Sequence, residues 1–236
     1  MWDFEQGEVL AFDKPLRWTS FDLVAKVRYN LCRKLGKKKL KVGHSGTLDP
    51  LATGVVIVCT GKKTKLIENL QYDVKEYVAT MQLGATTPSY DMEKEVDATY
   101  PTVHITRALV DETIPQFLGE QWQVPPMFSA VQINGKRAYE LARKGQEVEL
   151  KPKLLKIDEI EVLSFDEKAM LLTIRVVCSK GTYIRALARD IGERLHSGAY
   201  LTALRRTRVG DTRVEDCLTI ERFLEQLNEI EYVQNE

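Results

Sequence analysis

The sequence predicts an α+β fold with a central, mostly antiparallel sheet and flanking helices. Segments with the two-residue period of strands and segments with helical spacing follow one another without the regular strand–helix alternation of a doubly wound fold. Two long alternating segments, at about 153–164 and 169–178, are separated only by the tip Asp166-Glu167-Lys168, which favours an antiparallel hairpin. No repeat of fixed period and no low-complexity linker interrupts the chain.

The elements before this hairpin follow from local signals. The first strand is broken at Asp13-Lys14-Pro15, and Thr19 or Ser20 can cap the next helix, whose apolar residues recur at helical spacing. The predicted elements in order are a strand at 8–12, a helix at about 20–34, a strand at 54–60, a short helix near 63–70 and a strand at 75–81.

Turn and cap residues place the remaining elements. Residues 84–101 are polar and predict a loop, and the Asn134-Gly135 pair predicts a hairpin or turn around 131–136. The other predicted elements are a helix at about 106–118 opened by Thr106, a short helix at 137–144, a helix over roughly 183–195, a strand from Tyr200 to Val209 and a last helix at 219–228.

The composition is typical of a globular protein, with 44% hydrophobic and 29% charged residues. No stretch approaches the roughly 20 apolar residues that span a bilayer, so we expect no membrane partner. The first residues lack the basic and apolar regions of an export signal, and the four cysteines are far apart without a C-x-x-C motif. We therefore expect a protein of the reducing cytoplasm without a disulfide framework.

The charged residues are unevenly distributed, although 34 basic and 34 acidic residues cancel. Residues 33–44 carry six basic side chains and no acid, and residues 185–213 carry seven arginines against three acids. The last 22 residues are strongly acidic. Since local patches rather than totals attract phosphates, a nucleic-acid partner is compatible with zero net charge. The alternative is that the lysines at 37–41 form a simple solvated loop.

Residues 43–54 form a turn with the sequence Gly-His-Ser-Gly-Thr-Leu-Asp-Pro-Leu-Ala-Thr-Gly, and Asp49 is its one carboxylate. A basic run precedes this turn and a hydrophobic strand follows it. Loops that rigid elements hold often carry chemistry. An isolated Leu48-Asp49-Pro50 would favour a structural turn in which the aspartate bonds its own backbone. The long and specific string around Asp49 favours a functional role.

Other chemical motifs are excluded by their context. Gly61-Lys62 is followed by Lys63 rather than the Ser or Thr of a phosphate loop, and no G-x-G-x-x-G follows a strand. The three histidines lack metal-ligand spacing, so no metal site is predicted. The G-H-S-G segment around Ser45 resembles a nucleophile elbow only loosely, because a basic loop is expected before it and a strand after it.

Residues 43–54 match the signature of pseudouridine synthases of the TruB type, which isomerise the uridine of the tRNA T-loop, and the resemblance covers most of the chain. Five further segments resemble motifs of that family and occur in its order. They are Leu10-x-x-Asp13-Lys14-Pro15-x-x-x-Thr19-Ser20, Lys75-Glu76-Tyr77, Pro125-Pro126-x-x-Ser129-Ala130, Cys178-Ser179-Lys180-Gly181-Thr182-Tyr183-Ile184-Arg185 and Leu204-Arg205-Arg206-Thr207-Arg208-Val209-Gly210.

The resemblance implies the pseudouridine synthase fold and the isomerisation of uridine-55 to pseudouridine without a metal or organic cofactor. It implies that Asp49 initiates cleavage of the bond between uracil and sugar, either by attack on the anomeric carbon or by removal of a sugar proton. Arg185 is implied as the partner that keeps this carboxylate ionised in a cleft that excludes water. An arginine so near a helix N-terminus opposes the macrodipole, which indicates a tertiary reason for it, whereas a surface arginine is the alternative.

The resemblance also implies a pocket for the flipped uridine. His44 fills the position that the base vacates, and Tyr77 stacks on the base and can serve as a base late in the cycle. Tyr183 and Leu204 complete the pocket. The alternatives are a solvent-facing imidazole for His44, a core tyrosine on an alternating strand for Tyr77 and ordinary core packing for Leu204.

Basic side chains are expected to grip RNA phosphates through unspecific, salt-sensitive contacts. The candidates are Lys37, Lys38, Lys39, Lys41, Lys62, Lys63, Lys65, Arg205, Arg206 and Arg208. The expected partner is the T-arm stem-loop of tRNA, bound by a monomeric protein.

Two departures from the family pattern affect these expectations. The first motif usually carries Gly before the Thr-Ser pair, whereas this chain has Leu16-Arg17-Trp18, so any tight turn there must be built differently. Many members continue into an RNA-binding domain of the PUA type, for which this chain leaves too little length. We therefore expect one catalytic domain over residues 1–236, with room for a smaller inserted or peripheral lobe and no C-terminal PUA domain.

Two rival functions remain open on sequence grounds. The first is an RNA-binding module or tRNA-folding chaperone, although a pure binder needs basic residues rather than the combination of Asp49, Tyr77 and Arg185. The second is a sibling synthase that modifies another site in tRNA or a site in ribosomal RNA.

Overall fold

The structure is a computed structural model, and it describes residues 2–71, 73–129, 132–133, 135–138, 141 and 150–230. The chain divides into two compact units. The first unit comprises Met1–Lys75 and Arg205–Glu236, and the second comprises Glu76–Leu204. The second unit is therefore an insertion, in sequence, between the two parts of the first, and the expectation of one catalytic domain stays a prediction.

Thirteen strands and five α-helices occur in the described part of the chain. The strands are β1 (Val9–Lys14), β2 (Val42–Ser45), β3 (Ala52–Thr60), β4 (Lys75–Leu83), β5 (Ala85–Thr86), β6 (Ala98–Thr99), β7 (Gly119–Gln123), β8 (Gln132–Ile133), β9 (Lys136–Arg137), β10 (Lys153–Asp166), β11 (Leu171–Cys178), β12 (Ala199–Val209) and β13 (Thr212–Arg213). The helices are α1 (Ser20–Lys34), α2 (Ile67–Leu70), α3 (Arg107–Thr113), α4 (Ile184–Arg194) and α5 (Ile220–Glu229). Within the described ranges, no helix has the length and apolar character needed to cross a membrane.

The first unit is built around β3. This strand lies between β1 and β12, and it also pairs with β2. Both β1 and β2 are antiparallel to β3, with Phe12 opposite Val56 and His44 opposite Val58. Every residue from Gly54 to Thr60 is buried. A strand covered on both faces requires such a continuous apolar run, which is why the sequence made β3 easy to recognise.

Helix α1 begins at Ser20 and ends at Lys34, as the spacing of its apolar residues predicts. Thr19 caps it, because its side chain accepts a hydrogen bond from the Asp22 N–H while the Asp22 carboxylate accepts one from the Thr19 N–H. This reciprocal capping box fixes the first turn of the helix. The buried stripe of α1 includes Leu23, Val27 and Leu31, which are fully enclosed.

The turn between β1 and α1 is built without glycine. Arg17 adopts a left-handed conformation, with φ of +67°. For a residue with a bulky side chain this conformation costs roughly 1–2 kcal/mol. The Arg17 N–H donates a hydrogen bond of 2.7 Å to the Pro50 carbonyl oxygen, which holds the turn in place.

The second unit contains the strands β12, β4, β11, β10 and β7 in that order. Strands β10 and β11 form the predicted antiparallel hairpin, and its register shifts twice along β10. Tyr77, Ala79 and Met81 are buried on one face of β4, as its alternation predicts. The mixed helices and antiparallel pairs confirm the predicted α+β class.

The structure corrects several predicted element boundaries. The residues before the Asp49 turn form β2 rather than a loop, and β1 continues through Asp13 to Lys14 instead of ending at residue 12. The helix expected at 106–118 is shorter, because α3 gives way at Ile114–Phe117 to a 3-10 turn that contains Pro115, and β7 follows.

Smaller features were predicted with mixed success. Strands β5 and β6 pair within the segment expected to be a polar loop. The predicted hairpin at 131–136 is present as β8 and β9, with Gly135 at φ of +81°. Most of the helix expected at 137–144 lies outside the described residues.

Candidate functional site

Asp49 lies in the connection between the antiparallel strands β2 and β3. Its side chain is half-buried. The Asp49 carbonyl oxygen accepts a hydrogen bond of 3.0 Å from the Ala52 N–H, which closes the turn against the start of β3. The carboxylate is thus carried by a short turn between two paired strands.

The first turn of α1 anchors this connection through Ser20. The Leu48 N–H donates to the Ser20 hydroxyl oxygen at 2.9 Å, and the hydroxyl donates back to the Leu48 carbonyl oxygen at 3.2 Å. Both Ser20 and Leu48 are buried. One serine therefore satisfies both backbone groups of the residue that precedes Asp49, which restricts the motion of the turn.

Arg206 on β12 supports the turn from inside the first unit. Its side chain is 1% exposed, and its guanidinium donates to the carbonyl oxygens of Val55 at 2.7 Å, Gly46 at 3.2 Å and Thr47 at 3.4 Å. A buried guanidinium needs such acceptors, since no water is available to satisfy its donors. Arg206 was predicted as a phosphate contact, but its burial and these three bonds assign it to the support of the Asp49 turn.

Gly54 is required by the close approach of β3 to Arg206. It has φ of +110°, and a Cβ atom at this position would lie 2.1 Å from the Arg206 carbonyl oxygen. Any side chain would displace the backbone that carries the supporting arginine. This close approach explains why the motif ends in glycine.

Lys14 is a charged neighbour of Asp49 that the sequence did not single out. It is fully buried at the end of β1, and its ammonium donates to the carbonyl oxygens of Trp18 at 2.7 Å and Pro15 at 2.9 Å. Burial lowers the pKa of Lys14 to about 8, although the negative charge of Asp49 acts to raise it. The Asp13-Lys14-Pro15 motif was the only sequence feature that pointed to Lys14. It gave no indication of burial, because lysines are rarely buried and this one lies at a strand end next to proline.

His44 lies on β2, and its Nδ1 atom is buried without a hydrogen-bond partner among the described residues. Burial lowers the pKa of the imidazole, the nearby backbone of Gly46 opposes this shift, and the charge of Arg206 lowers the pKa further. The ring is therefore uncharged at neutral pH. An uncharged flat ring suits the role predicted for His44, which is to fill the place of an extruded base.

In the second unit, Arg185 is buried in the first turn of α4. Its guanidinium donates to the carbonyl oxygens of Phe128 at 2.9 Å and Ser89 at 3.2 Å, and it lies 3.7 Å from the Asp91 carboxylate, which is also buried. These contacts supply a tertiary reason for an arginine near a helix N-terminus. Asp91 could not be predicted from the sequence, because it lies in a polar segment without a distinguishing pattern.

The remaining pocket candidates also belong to the second unit. Tyr77 is 8% exposed on β4, whereas Tyr183 and Leu204 are half-buried. Gln123 holds the backbone of Tyr183, since its amide oxygen accepts from the Tyr183 N–H at 2.9 Å and its amide nitrogen donates to the Tyr183 carbonyl oxygen at 3.2 Å. The stacking roles of Tyr77, Tyr183 and Leu204 stay predictions.

The basic candidates differ in whether the structure shows a charged or polar partner for their side chains. Lys38, Lys39, Lys41 and Lys65 are exposed. By contrast, Lys37 pairs with Glu5, Lys63 lies 3.7 Å from Glu8, Lys62 donates to Gln6, Arg205 pairs with Asp13 and Arg208 donates to the Gly210 carbonyl oxygen. The four exposed lysines, for which no partner occurs among the described residues, are the stronger phosphate candidates.

The predicted residues divide between the two units. Asp49, His44 and all of the basic candidates belong to the first unit, and the other four pocket and catalytic candidates belong to the second. In the described ranges, no three His, Cys, Asp or Glu side chains are grouped as metal ligands would be.

Two family models match the chain. Residues 33–184 match the model described as TruB family pseudouridylate synthase (N terminal domain). Residues 185–235 match the model described as tRNA pseudouridylate synthase B C-terminal domain.

Relatives are similar over nearly the full chain. A protein of Phocaeicola vulgatus named tRNA pseudouridine synthase B is 67% identical, over 99% of this chain and 100% of its own length. A protein of Bacteroides thetaiotaomicron with the same name is 66% identical, over 99% of this chain and 98% of its own length. Among solved structures, a chain of a Cbf5–Nop10–Gar1 complex superimposes with a TM-score of 0.70 at 28% identity, over 97% of this chain and 58% of that chain.

Proposed function

Because the chain belongs to the TruB family of pseudouridylate synthases, we propose that it isomerises uridine-55 in the T-loop of tRNA to pseudouridine. The observation that carries the proposal is the Asp49 turn. It presents a carboxylate on a connection that hydrogen bonds from Ser20, Arg206 and the Arg17 backbone hold. Such preorganisation suits a group that must meet one ribose atom in an extruded nucleotide.

The reaction rearranges atoms within one nucleotide. The bond between N1 of uracil and C1′ of the ribose breaks, the uracil rotates, and a bond forms between C5 and C1′. C5 then loses its proton and N1 gains one, so the change involves neither net oxidation nor hydrolysis. Asp49 initiates the cleavage, by attack on the anomeric carbon or by removal of a sugar proton.

The other residues have supporting roles in this proposal. Arg185 keeps the Asp49 carboxylate ionised, His44 occupies the place of the extruded base, and Tyr77 stacks on the uracil with Tyr183 and Leu204 around it. Base–aromatic stacking contributes roughly 1–3 kcal/mol per base, which offsets part of the cost of extrusion. The exposed lysines contact the RNA backbone.

The first experiment follows the hydrogen that leaves C5. T-arm stem-loop RNA that carries tritium at C5 of the target uridine is incubated with the protein, and released tritium is counted. We expect stoichiometric release from the T-arm. Release only from ribosomal RNA fragments, or from another part of tRNA, would move the assignment to a sibling synthase.

Asp49→Asn separates catalysis from binding. The amide keeps the shape of the side chain but removes the charge, so we expect tRNA binding to be largely retained and tritium release to be abolished. If Asp49→Asn still converted uridine, the mechanism proposed for Asp49 would be wrong. If wild-type protein bound tRNA without any conversion, the rival function of a binding module or tRNA-folding chaperone would be favoured.

We further propose that the protein acts as a monomer in the cytoplasm, where tRNA is processed, and that it needs no metal or cofactor. An intramolecular rearrangement without redox change supports the last point. Activity that persists in EDTA, and a monomer mass by light scattering, are the expected results.

A further inference from the structure

Arg17 combines an unfavourable backbone with a side chain that forms no hydrogen bond or ion pair with the described residues. Its φ of +67° lies in the left-handed region, which glycine enters freely and bulky residues rarely adopt. A glycine here would allow the same turn without strain. Backbone outliers of this kind are concentrated at functional sites, where the side chain has a role that outweighs the strain.

The backbone of Arg17 is fixed to the turn that carries Asp49. The Arg17 N–H donates to the Pro50 carbonyl oxygen at 2.7 Å, and Pro50 directly follows Asp49. Three residues later, Ser20 binds both backbone groups of Leu48. The segment from Arg17 to Ser20 therefore runs along the Asp49 turn within the first unit.

The Arg17 side chain is exposed, and its guanidinium makes no hydrogen bond or ion pair with the residues that the structure describes. The nearest acids in sequence are already engaged. Asp13 pairs with Arg205 at 2.7 Å, and Asp22 accepts hydrogen bonds from the backbone and hydroxyl of Thr19. No hydrogen bond or ion pair of the Arg17 side chain inside the described part of the first unit offsets this strain, and the backbone bond to Pro50 would be available to a glycine as well.

The surface around Arg17 is suited to a nucleic acid. Leu16, which directly precedes Arg17 in sequence, is exposed. Phe21, four residues after Arg17 in the first turn of α1, is 66% exposed. A guanidinium binds phosphate through two parallel hydrogen bonds, and an exposed aromatic ring offers a stacking surface for a base. The segment whose backbone and Ser20 hydroxyl contact the Asp49 turn thus carries an exposed cation, and an exposed aromatic ring follows it directly in sequence.

We propose that Arg17 binds a phosphate of the RNA backbone close to the reacting nucleotide. This inference rests on the proposed function, since it needs an RNA substrate at the Asp49 turn. The guanidinium fixes the strand relative to Asp49, and the hydrogen bond to Pro50 ties the position of the phosphate to that of the carboxylate. Arg17 is thus a substrate-binding residue in addition to those that the family resemblance implies.

The test compares three variants in binding to T-arm stem-loop RNA across a salt series. Arg17→Gly removes charge and strain, Arg17→Asn removes charge but tolerates the left-handed backbone, and Arg17→Lys retains charge. For Arg17→Gly and Arg17→Asn we expect roughly three- to ten-fold weaker binding at low salt, and a dependence of log affinity on log salt that is shallower by about 0.7–0.9. Arg17→Lys should keep most of the slope. The unfolding midpoint of Arg17→Gly should equal or exceed that of the wild type.

Arg222→Gln is the matched control, because Arg222 is an exposed arginine on α5 within the acidic C-terminal part of the chain, and its substitution should leave binding unchanged. Wild-type affinity and salt slope in both Arg17→Gly and Arg17→Asn, with folded protein, would overturn the inference. A wild-type protein that neither binds nor converts the T-arm would instead refute the proposed function, so the two failures are distinguishable.

Discussion

At the scale of single residues, the charge of Lys14 depends on its burial and on the nearby carboxylate of Asp49. Lys14 is fully buried, which favours its neutral form, whereas the charge of Asp49 favours the ammonium. With a pKa of about 8, Lys14 is mainly protonated at pH 7 and helps to balance the carboxylate. Its two backbone carbonyl acceptors satisfy the ammonium where water cannot reach it.

The pKa of Lys14 predicts how stability depends on pH. Between about pH 8 and the usual lysine value of 10.5, Lys14 is neutral when folded but protonated when unfolded. The unfolded state then binds more protons, so the free energy of unfolding of the wild type should rise with pH relative to Lys14→Met. The gain approaches the order of 3 kcal/mol at the top of the window, from about 1.36 kcal/mol per pH unit.

Urea denaturation from pH 7 to 10 measures this difference, and subtraction of the Lys14→Met curve removes contributions from other groups. Asp49→Asn, which removes the charge that raises the pKa of Lys14, should move the start of the window to lower pH. A difference between wild type and Lys14→Met that does not change with pH would contradict the assignment.

At the scale of elements, the Asp49 turn depends on α1 through a single hydroxyl. Ser20→Ala leaves the buried N–H and C=O of Leu48 without partners. We expect a loss of about 1–3 kcal/mol in the free energy of unfolding, and a lower kcat because the turn becomes mobile. Denaturation measures the free energy of unfolding, and tritium release measures kcat.

Ser164→Ala, at an exposed serine on β10, is the control and should change neither quantity. A destabilised Ser20→Ala protein with wild-type kcat would show that the hydroxyl stabilises the fold without positioning Asp49.

The elements differ in how well the sequence alone predicted them. Helix α1 and strand β3 carry their own signals, a capping residue with a helical stripe and a continuous apolar run, and both were found. Strand β2 has four residues including a glycine, and it exists because β3 supplies its hydrogen bonds. Such short strands depend on tertiary pairing rather than on local pattern, so the segment was expected to be a loop.

The site was predictable only where a motif named the residue. Asp49 was found because its neighbours form a specific string. Arg206 was misassigned, since three arginines within four residues do not reveal which one is turned inward to satisfy backbone carbonyls. Lys14 and Asp91 were missed, because burial of a charged side chain depends on partners that are distant in sequence.

At the scale of the whole chain, acidic and basic residues are equal in number, and some of them also form ion pairs with one another. Two acids of the N-terminal segment lie against lysines, one in the basic run at 33–44 and one in the 3-10 turn Gly61–Leu66. Glu5 pairs with Lys37, Glu8 lies 3.7 Å from Lys63, and Phe4, which directly precedes Glu5, is buried. The Glu5 carbonyl oxygen packs closely against Gly61, since a Cβ atom at Gly61 would lie 2.2 Å from it. This packing fixes the N-terminal segment.

This arrangement predicts that the N-terminal acids weaken RNA binding. The exposed Glu5–Lys37 pair contributes little to stability. A glutamine at position 8 keeps an oxygen that can accept the hydrogen bond from the Asp3 N–H, so Glu5→Gln with Glu8→Gln should leave the fold intact. The same double substitution frees Lys37 and Lys63 for phosphates. We expect tighter binding of T-arm RNA, and a slope of log affinity against log salt that is steeper by up to about 0.7–0.9 for each lysine freed.

Glu225→Gln is the control, because it breaks an ion pair with Arg222 outside the basic run. It should leave both the affinity and the slope unchanged. Unaltered binding in the double variant would mean that RNA does not reach Lys37 and Lys63, and it would confine the phosphate contacts of this segment to lysines such as Lys38, Lys39 and Lys41.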